Sequence, residues 1–287
     1  MKKLSIALLS FFALTSLNVN AQETPAAAPV ATTEQECDDC NKHSTHFIHE
    51  SDVMYRKQIQ RAIDLREKQN EPIFSMNREI TDLLLDAVEN GTITPYINDS
   101  LDCGRQLTID EFKKNYLIPS DQAQLSEDEK AVMLANGDSS FMQSGGTEYY
   151  FPRDLYQLEL KECLIFDKQR SRMYYNILAI TMFVPADHPT NIRGIQTPVA
   201  SFSYKELAEK LFKDNPKAIW FNARNDKEHK NLADAFELRL FSSYIIKVSN
   251  PRNAYIADIY GDQAKGIMGS QWAAYDLLEY EHHLWEF

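Results

Sequence analysis

Leu155–Val184 reads LYQLELKECLIFDKQRSRMYYNILAITMFV, and its interpretation decides the fold. Leu158 and Leu160 alternate with polar neighbours, the period of a half-buried strand. Tyr174 to Val184 is long and rich in aromatic and β-branched residues, which suit a pleated surface. Between them, Asp167 to Arg172 is a polar turn, so the stretch predicts a β-hairpin.

Working outward, helical spacing dominates on both sides. Ile80, Leu83, Leu84, Ala87 and Val88 form one apolar stripe, ended by Asn90-Gly91. Thr108-Ile109-Asp110-Glu111 has the spacing of a capping box and opens a short helix. Over residues 51–69, Ile59, Ala62, Ile63 and Arg66 recur at helical intervals, which predicts a helix stopped by Pro72. Downstream, Ser203-Tyr204-Lys205-Glu206 opens a capped helix ending before Asn215-Pro216, residues 218–222 read as a short strand, and residues 232–241 as a helix. A last helix is expected from about Ser270 to the end, with Ala274, Leu277, Leu278, Glu281, Leu284 and Trp285 on one face. Residues 119–147, with SEDE, NGDSS and QSGG, read as a long, partly mobile insertion. The sum is α+β: N-terminal helices, a small antiparallel sheet including the long hairpin, and a C-terminal helix.

The N-terminus predicts export. Lys2-Lys3, the apolar run Leu4–Leu17 and the small residues before Gln22 have the form of a signal peptide over residues 1–21. The run is too short to favour a permanent span, so no direct membrane insertion is expected. Residues 22–36 are Ala-, Pro- and Thr-rich without periodicity. They are read as part of a flexible linker over 22–50 that also holds a Cys/His-rich segment, with the folded domain at 51–287. The 287 residues carry a net charge of −12, and loss of two lysines with the leader takes this to −14. Such acidity argues against nucleic acid, which demands clustered cations.

Four cysteines allow three pairings, and sequence does not choose among them. A Cys103–Cys163 bridge would close a long loop; both residues could equally be buried thiols. Cys37-x2-Cys40-x2-His43-x2-His46-x2-His49 could wrap a soft or borderline ion such as zinc or copper, although a CDDC disulfide competes for the same thiols. This segment supports an alternative reading, a metal- or thiol-responsive binding module. No GxSxG, HExxH, GxxxxGK[ST] or GxGxxG stands in the chain, so neither an enzyme nor a bound cofactor is expected.

Four ordered blocks carry a family resemblance. They are Asp64–Pro72 (DLREKQNEP) continuing through Gly91–Tyr96 (GTITPY), Phe166–Met173 (FDKQRSRM), Phe241–Asn250 (FSSYIIKVSN), and Glu281-His282-x-Leu284-Trp285-x-Phe287. Together they resemble the GldN/PorN family. The resemblance implies a structural subunit of a periplasmic ring in the type IX secretion and gliding motility apparatus of Bacteroidetes. Its implied partners are a GldK/PorK-like outer-membrane lipoprotein, a GldM-like periplasmic part of the inner-membrane motor, and further copies of itself in the ring. On that analogy Asp167, Lys168, Arg170, Tyr244, Lys247 and Trp285 are candidate partner contacts, since arginine and aromatic residues are favoured anchors. Each has an ordinary alternative: a solvated hairpin turn for Asp167–Arg170, core packing for the Phe241–Lys247 stretch, and docking of the C-terminus for Trp285.

Overall fold

The computed structural model describes residues 39–102, 104–118, 149–189, 191, 194–213, 215–261 and 263–285. The insertion read at 119–147, the leader, the linker up to Asp38, Cys37 and Cys103 lie outside the described residues.

The hairpin forms as its sequence predicts. Strand β2 (Gln157–Asp167) turns into β3 (Arg172–Val184), and Ser171 at the turn takes a left-handed φ of 50°. Around it are β1 (Val53–Asp64), β4 (Thr197–Ser203) and β7 (Tyr244–Val248). The order is β4-β3-β2-β1-β7, antiparallel throughout. A two-stranded ribbon, β5 (Ile219–Trp220) with β6 (Lys230–Asn231), stands apart. The helices are α1 (Ile80–Glu89), α2 (Ile109–Asn115), α3 (Tyr204–Glu206), α4 (Leu232–Glu237), α5 (Ile256–Tyr260) and α6 (Gln263–Trp285). The architecture is α+β, as read from the sequence.

Residues 53–64 form a strand rather than the expected helix. Tyr55, Ile59 and Ile63 are spaced by four, close to one helical turn and also an even number of strand residues. Both periods therefore put them on one face, and tertiary pairing decides between the two. β1 lies between β2 and β7, where Ile59 meets Glu162 and Val248, and Ile63 meets Leu158. At Thr108 the local signal holds. The Thr108 hydroxyl accepts the Glu111 amide while the Glu111 carboxylate accepts the Thr108 amide. The segment opening at Ser203 becomes π-helical over Leu207–Phe212. Ser203 does not cap it, because its hydroxyl is turned to His43.

One face of β2 touches two cores. Leu158 and Leu160 join Ile63, Ile180 and Phe202 beneath Leu84 of α1, Phe112 of α2 and Phe236 of α4. Leu164 joins Ile59, Ile245, Ile256 and Leu277 beneath α5 and α6. Between them sits Glu162, fully buried. Its carboxylate accepts from Arg61 Nε at 2.9 Å and from Arg239 Nη1 and Nη2 at 2.9 and 3.3 Å. Arg239 reaches it from a left-handed turn, φ 54°, and this turn ends α4 earlier than the expected residue 241. Its guanidinium also lies over the rings of Tyr175 and Phe241.

On the opposite face Cys163 and Ile165 pack with Cys40, Ile48 and Leu178. Cys40 is bonded to Cys163. The folded region therefore includes residues 39–50, ahead of the boundary expected at Ser51, and the order of this segment comes from a bridge whose second half is 123 residues away.

Two outcomes follow from these contacts. Glu162→Gln leaves two guanidinium groups against a neutral amide and is expected to lower stability by about 3 kcal/mol, read as a fall in the urea midpoint at unchanged slope. Replacing Cys40 and Cys163 together by alanine is expected to cost up to about 5 kcal/mol, the chain-entropy ceiling for so long a loop; amide exchange would locate the loosening first at residues 39–50.

Candidate interaction surface

The Cys/His-rich segment is a latch on the sheet. Asn41 closes it locally: its side chain donates to Ile48 O and accepts the Ile48 amide, both at 2.9 Å. His43 lies between Ser203 Oγ at 3.0 Å and Asp102 Oδ1 at 3.1 Å, and Lys42 also pairs with Asp102. Burial works to raise the Asp102 carboxyl, but hydrogen bonds from Lys42, the Asp39 amide and His43 outweigh it and hold it below its ordinary range. His46 reaches Glu237 at 2.8 Å, and His49 is exposed beside Phe47.

The reading of this segment as a metal- or thiol-responsive module is thereby corrected. Cys40 is a disulfide sulfur rather than a thiolate, and the two histidines nearest it are held by carboxylates on different elements. The metal- or thiol-responsive module therefore loses one of its two thiols and the convergence of its imidazoles. Ser203, His43 and Asp102 have the residue types of a nucleophilic triad. Yet Ser203 is buried, 6% exposed, and Lys42 shares Asp102 with the histidine, so these groups tie the segment to the sheet.

The residues singled out as partner contacts do not form one patch. Asp167 is fully buried and organises the hairpin turn, accepting the amides of Gln169 and Arg170 at 2.8 and 3.2 Å and Arg170 Nη1 at 2.9 Å. Burial tends to raise its carboxyl, and these three donors bring it below the usual range. Lys168 and Arg170 project from the turn into solvent. Tyr244 and Lys247 lie on β7 in register with Ala62 and Gln60. The hairpin turn is in register with Val53, so Tyr244 is roughly 30 Å away along the strand. Tyr244 is half exposed, and Lys247 Nζ lies 5.2 Å from the Tyr255 ring centre. Trp285 is the last residue of α6; its side chain lies outside the described residues.

A continuous apolar surface comes from α5 and α6. The inward side of α6 is made of small residues, so that α5 can approach. A Cβ at Gly266 would stand 3.1 Å from Ala257 Cα, and one at Gly269 would stand 2.5 Å from Tyr260 Cε2. Leu277 is buried on the same side, and Tyr280 packs on Tyr55 with centroids 4.5 Å apart. The outward side carries Ile267, Met268, Tyr275 and Leu278, with Ile267 58% and Tyr275 69% exposed. Ile259 of α5 and Trp272 add to it, Trp272 standing edge-on to Tyr260.

The expected helix from about Ser270 leaves out the first turns of this surface, which carry Ile267 and Met268. The helix begins at Gln263, since the glycines accommodate a close neighbour whose packing outweighs their weak helix propensity. The spacing of Ile267, Gln271, Tyr275 and Leu278 was the available signal.

A cavity of about 460 Å3 lies between the end of α1 and the π-helical segment. Its lining charges are partly paired, Lys210 with Glu206 and Lys217 with Asp86. Among the described residues, no group of three or more His, Cys, Asp or Glu is placed to hold a metal, and no helix is long and apolar enough to cross a membrane.

Among the described residues, these features define an α+β protein with an exposed apolar helix face. A family model described as "Gliding motility associated protein GldN" matches residues 48–286, and the chain belongs to the GldN family, a structural family of gliding motility and not a family of enzymes. No individual curated protein matches the chain.

Glu159 gives the sheet beside β7 a pH dependence. It faces the same side of the sheet as Tyr244 and Lys247. Burial first, then the charge of Asp99, push its carboxyl up to about 7, against the pull of Lys247. Because the folded-state value is raised, the proton-bound fold is favoured: the contribution is complete below the unfolded value near 4.3 and lost as pH rises through about 7. Glu159→Gln is expected to flatten the stability profile between roughly pH 4.5 and 7.5 and to gain about 2–3 kcal/mol over the parent at pH 8, measured by urea denaturation across that range.

Proposed function

We propose that this chain is an exported, periplasmic structural subunit of the type IX secretion and gliding motility apparatus. In this reading it stays at the outer membrane through a GldK/PorK-like lipoprotein, assembles with further copies into a ring, and meets a GldM-like periplasmic part of the motor. Membership of the GldN family supports the machinery to which it contributes. The observation that carries a structural role is the uncovered apolar face of α5 and α6, with Ile259, Ile267, Met268, Trp272, Tyr275 and Leu278 exposed. Contiguous patches of this kind are unusual on free monomers and mark interaction sites. The cationic hairpin tip, Lys168 and Arg170, supplies a second contact of different chemistry, suited to an acidic or hydrogen-bond-accepting surface.

Removal of the leader is part of the proposal, because the periplasmic assignment rests on the signal read at residues 1–21. A tagged chain recovered from native envelopes is expected to begin at Gln22 and to bring with it a large assembly containing the lipoprotein, visible by size analysis and electron microscopy. Lys168→Glu is expected to reduce lipoprotein recovery several-fold at unchanged thermal stability. A chain recovered as a monomer with no envelope partner, from cells in which its deletion leaves secretion and motility intact, would overturn the reading.

A further inference from the structure

We infer that the outward face of α6 is a two-fold interface, on which α6 of a second copy of this chain lies antiparallel. The face is one continuous stripe: Ile267, Met268, Gln271, Ala274, Tyr275 and Leu278 recur at three- and four-residue intervals, the spacing of a helix–helix seam. All six are exposed, while Gly266, Gly269, Ser270 and Leu277 hold the opposite side against the protein. A helix with apolar residues on both sides, docked on one of them, has a second packing surface left to cover.

The stripe is complementary to itself and not merely apolar. With the two-fold axis at Gln271, Ile267 faces the partner's Tyr275, Met268 faces the partner's Ala274, and Gln271 meets its own copy. Large residues therefore stand opposite small or flat ones, as interdigitated packing requires. The paired amides at the axis can exchange hydrogen bonds, each being both donor and acceptor.

Charge fixes the direction. Lys265 lies on one flank of the stripe near the start of α6, and Asp276 and Glu279 lie on the same flank further along; all three are exposed. In an antiparallel pair about a two-fold axis, like flanks meet, so Lys265 of one copy is set between the partner's Asp276 and Glu279. In a parallel two-fold pair opposite flanks meet, so Lys265 and these acids would stand on different sides of the seam and the pairing would be lost. The antiparallel arrangement also opposes the two helix dipoles. For a chain with a net charge of −12, a seam that pairs its acids with a lysine is a favourable way to bring two copies together.

This pairing does not depend on the lipoprotein or the motor, and it is tested on the purified protein alone. Sedimentation over a wide concentration range is expected to show a monomer–dimer equilibrium. Tyr275→Glu places charge in the seam and is expected to raise the dissociation constant at least tenfold. Lys265→Glu and Glu279→Lys should each weaken the dimer, and the double variant should regain most of the loss. The two positions are roughly 21 Å apart along one helix, so such rescue can come only from contact between copies. Circular dichroism should remain unchanged in all three, since each residue is exposed. A protein that stays monomeric at all concentrations, or a dimer indifferent to Tyr275→Glu, would overturn the pairing. Loss of dimer in both single variants without rescue in the double would overturn the antiparallel register. Capture of the lipoprotein by a monomeric chain through this same face would refute the two-fold pairing while leaving the proposed function standing.

Discussion

A carboxylate buried in the middle of a central strand is the constraint around which this fold is arranged. Glu162 sits on β2 between two apolar cores, where an unpaired charge would be severely penalised. Its two lone-pair-bearing oxygens take Arg61 from β1 and Arg239 from the turn after α4. That requirement keeps β1 beside β2 and draws the left-handed turn at Arg239 onto the sheet. The chain can then enter β7 alongside β1, and α5 and α6 follow. Such a triad is a device of specificity more than of strength, because charge desolvation offsets much of the Coulombic gain.

The two faces of the sheet are closed by different physics. On one, helices α1, α2 and α4 bury large apolar side chains over Leu158 and Leu160. On the other, the segment from Asp39 to Glu50 has few apolar residues to bury, with Cys40 and Ile48 as its contribution to the core. It is held instead by a disulfide, by His43 between Ser203 and Asp102, and by Thr45 and His46 on Glu237. Side chains that resemble ligands or catalysts in the sequence are engaged here in fastening one polypeptide segment to another.

Much of the architecture was legible because some signals need only local physics. In the 155–184 hairpin Leu158 and Leu160 alternate with polar neighbours and a polar turn precedes a β-branched and aromatic run, α1 keeps a single stripe, and the capping box at Thr108 satisfies its own amides. Three features were not legible. Residues 53–64 have a spacing compatible with both periods, and their neighbours β2 and β7 arrive 93 or more residues later, as the pairing of Asp64 with Gln157 illustrates. The glycines of α6 look like an interruption until Ala257 and Tyr260 are seen against them. The partner of Cys40 could not be chosen among the sequence's three pairings.

Sequence alone determined the class of this protein, its hairpin and two of its helices, and through four ordered blocks its family. Those properties are carried by residue type at fixed spacing, which a linear chain displays in full. Tertiary structure decided what each polar group is for. It buried Asp167 inside its turn, assigned Cys40 to Cys163, fixed His43 on Asp102, and turned one side of α6 outward while packing the other. Burial and pairing depend on neighbours that lie far off in the chain, so spacing cannot encode them and only the folded arrangement can reveal them.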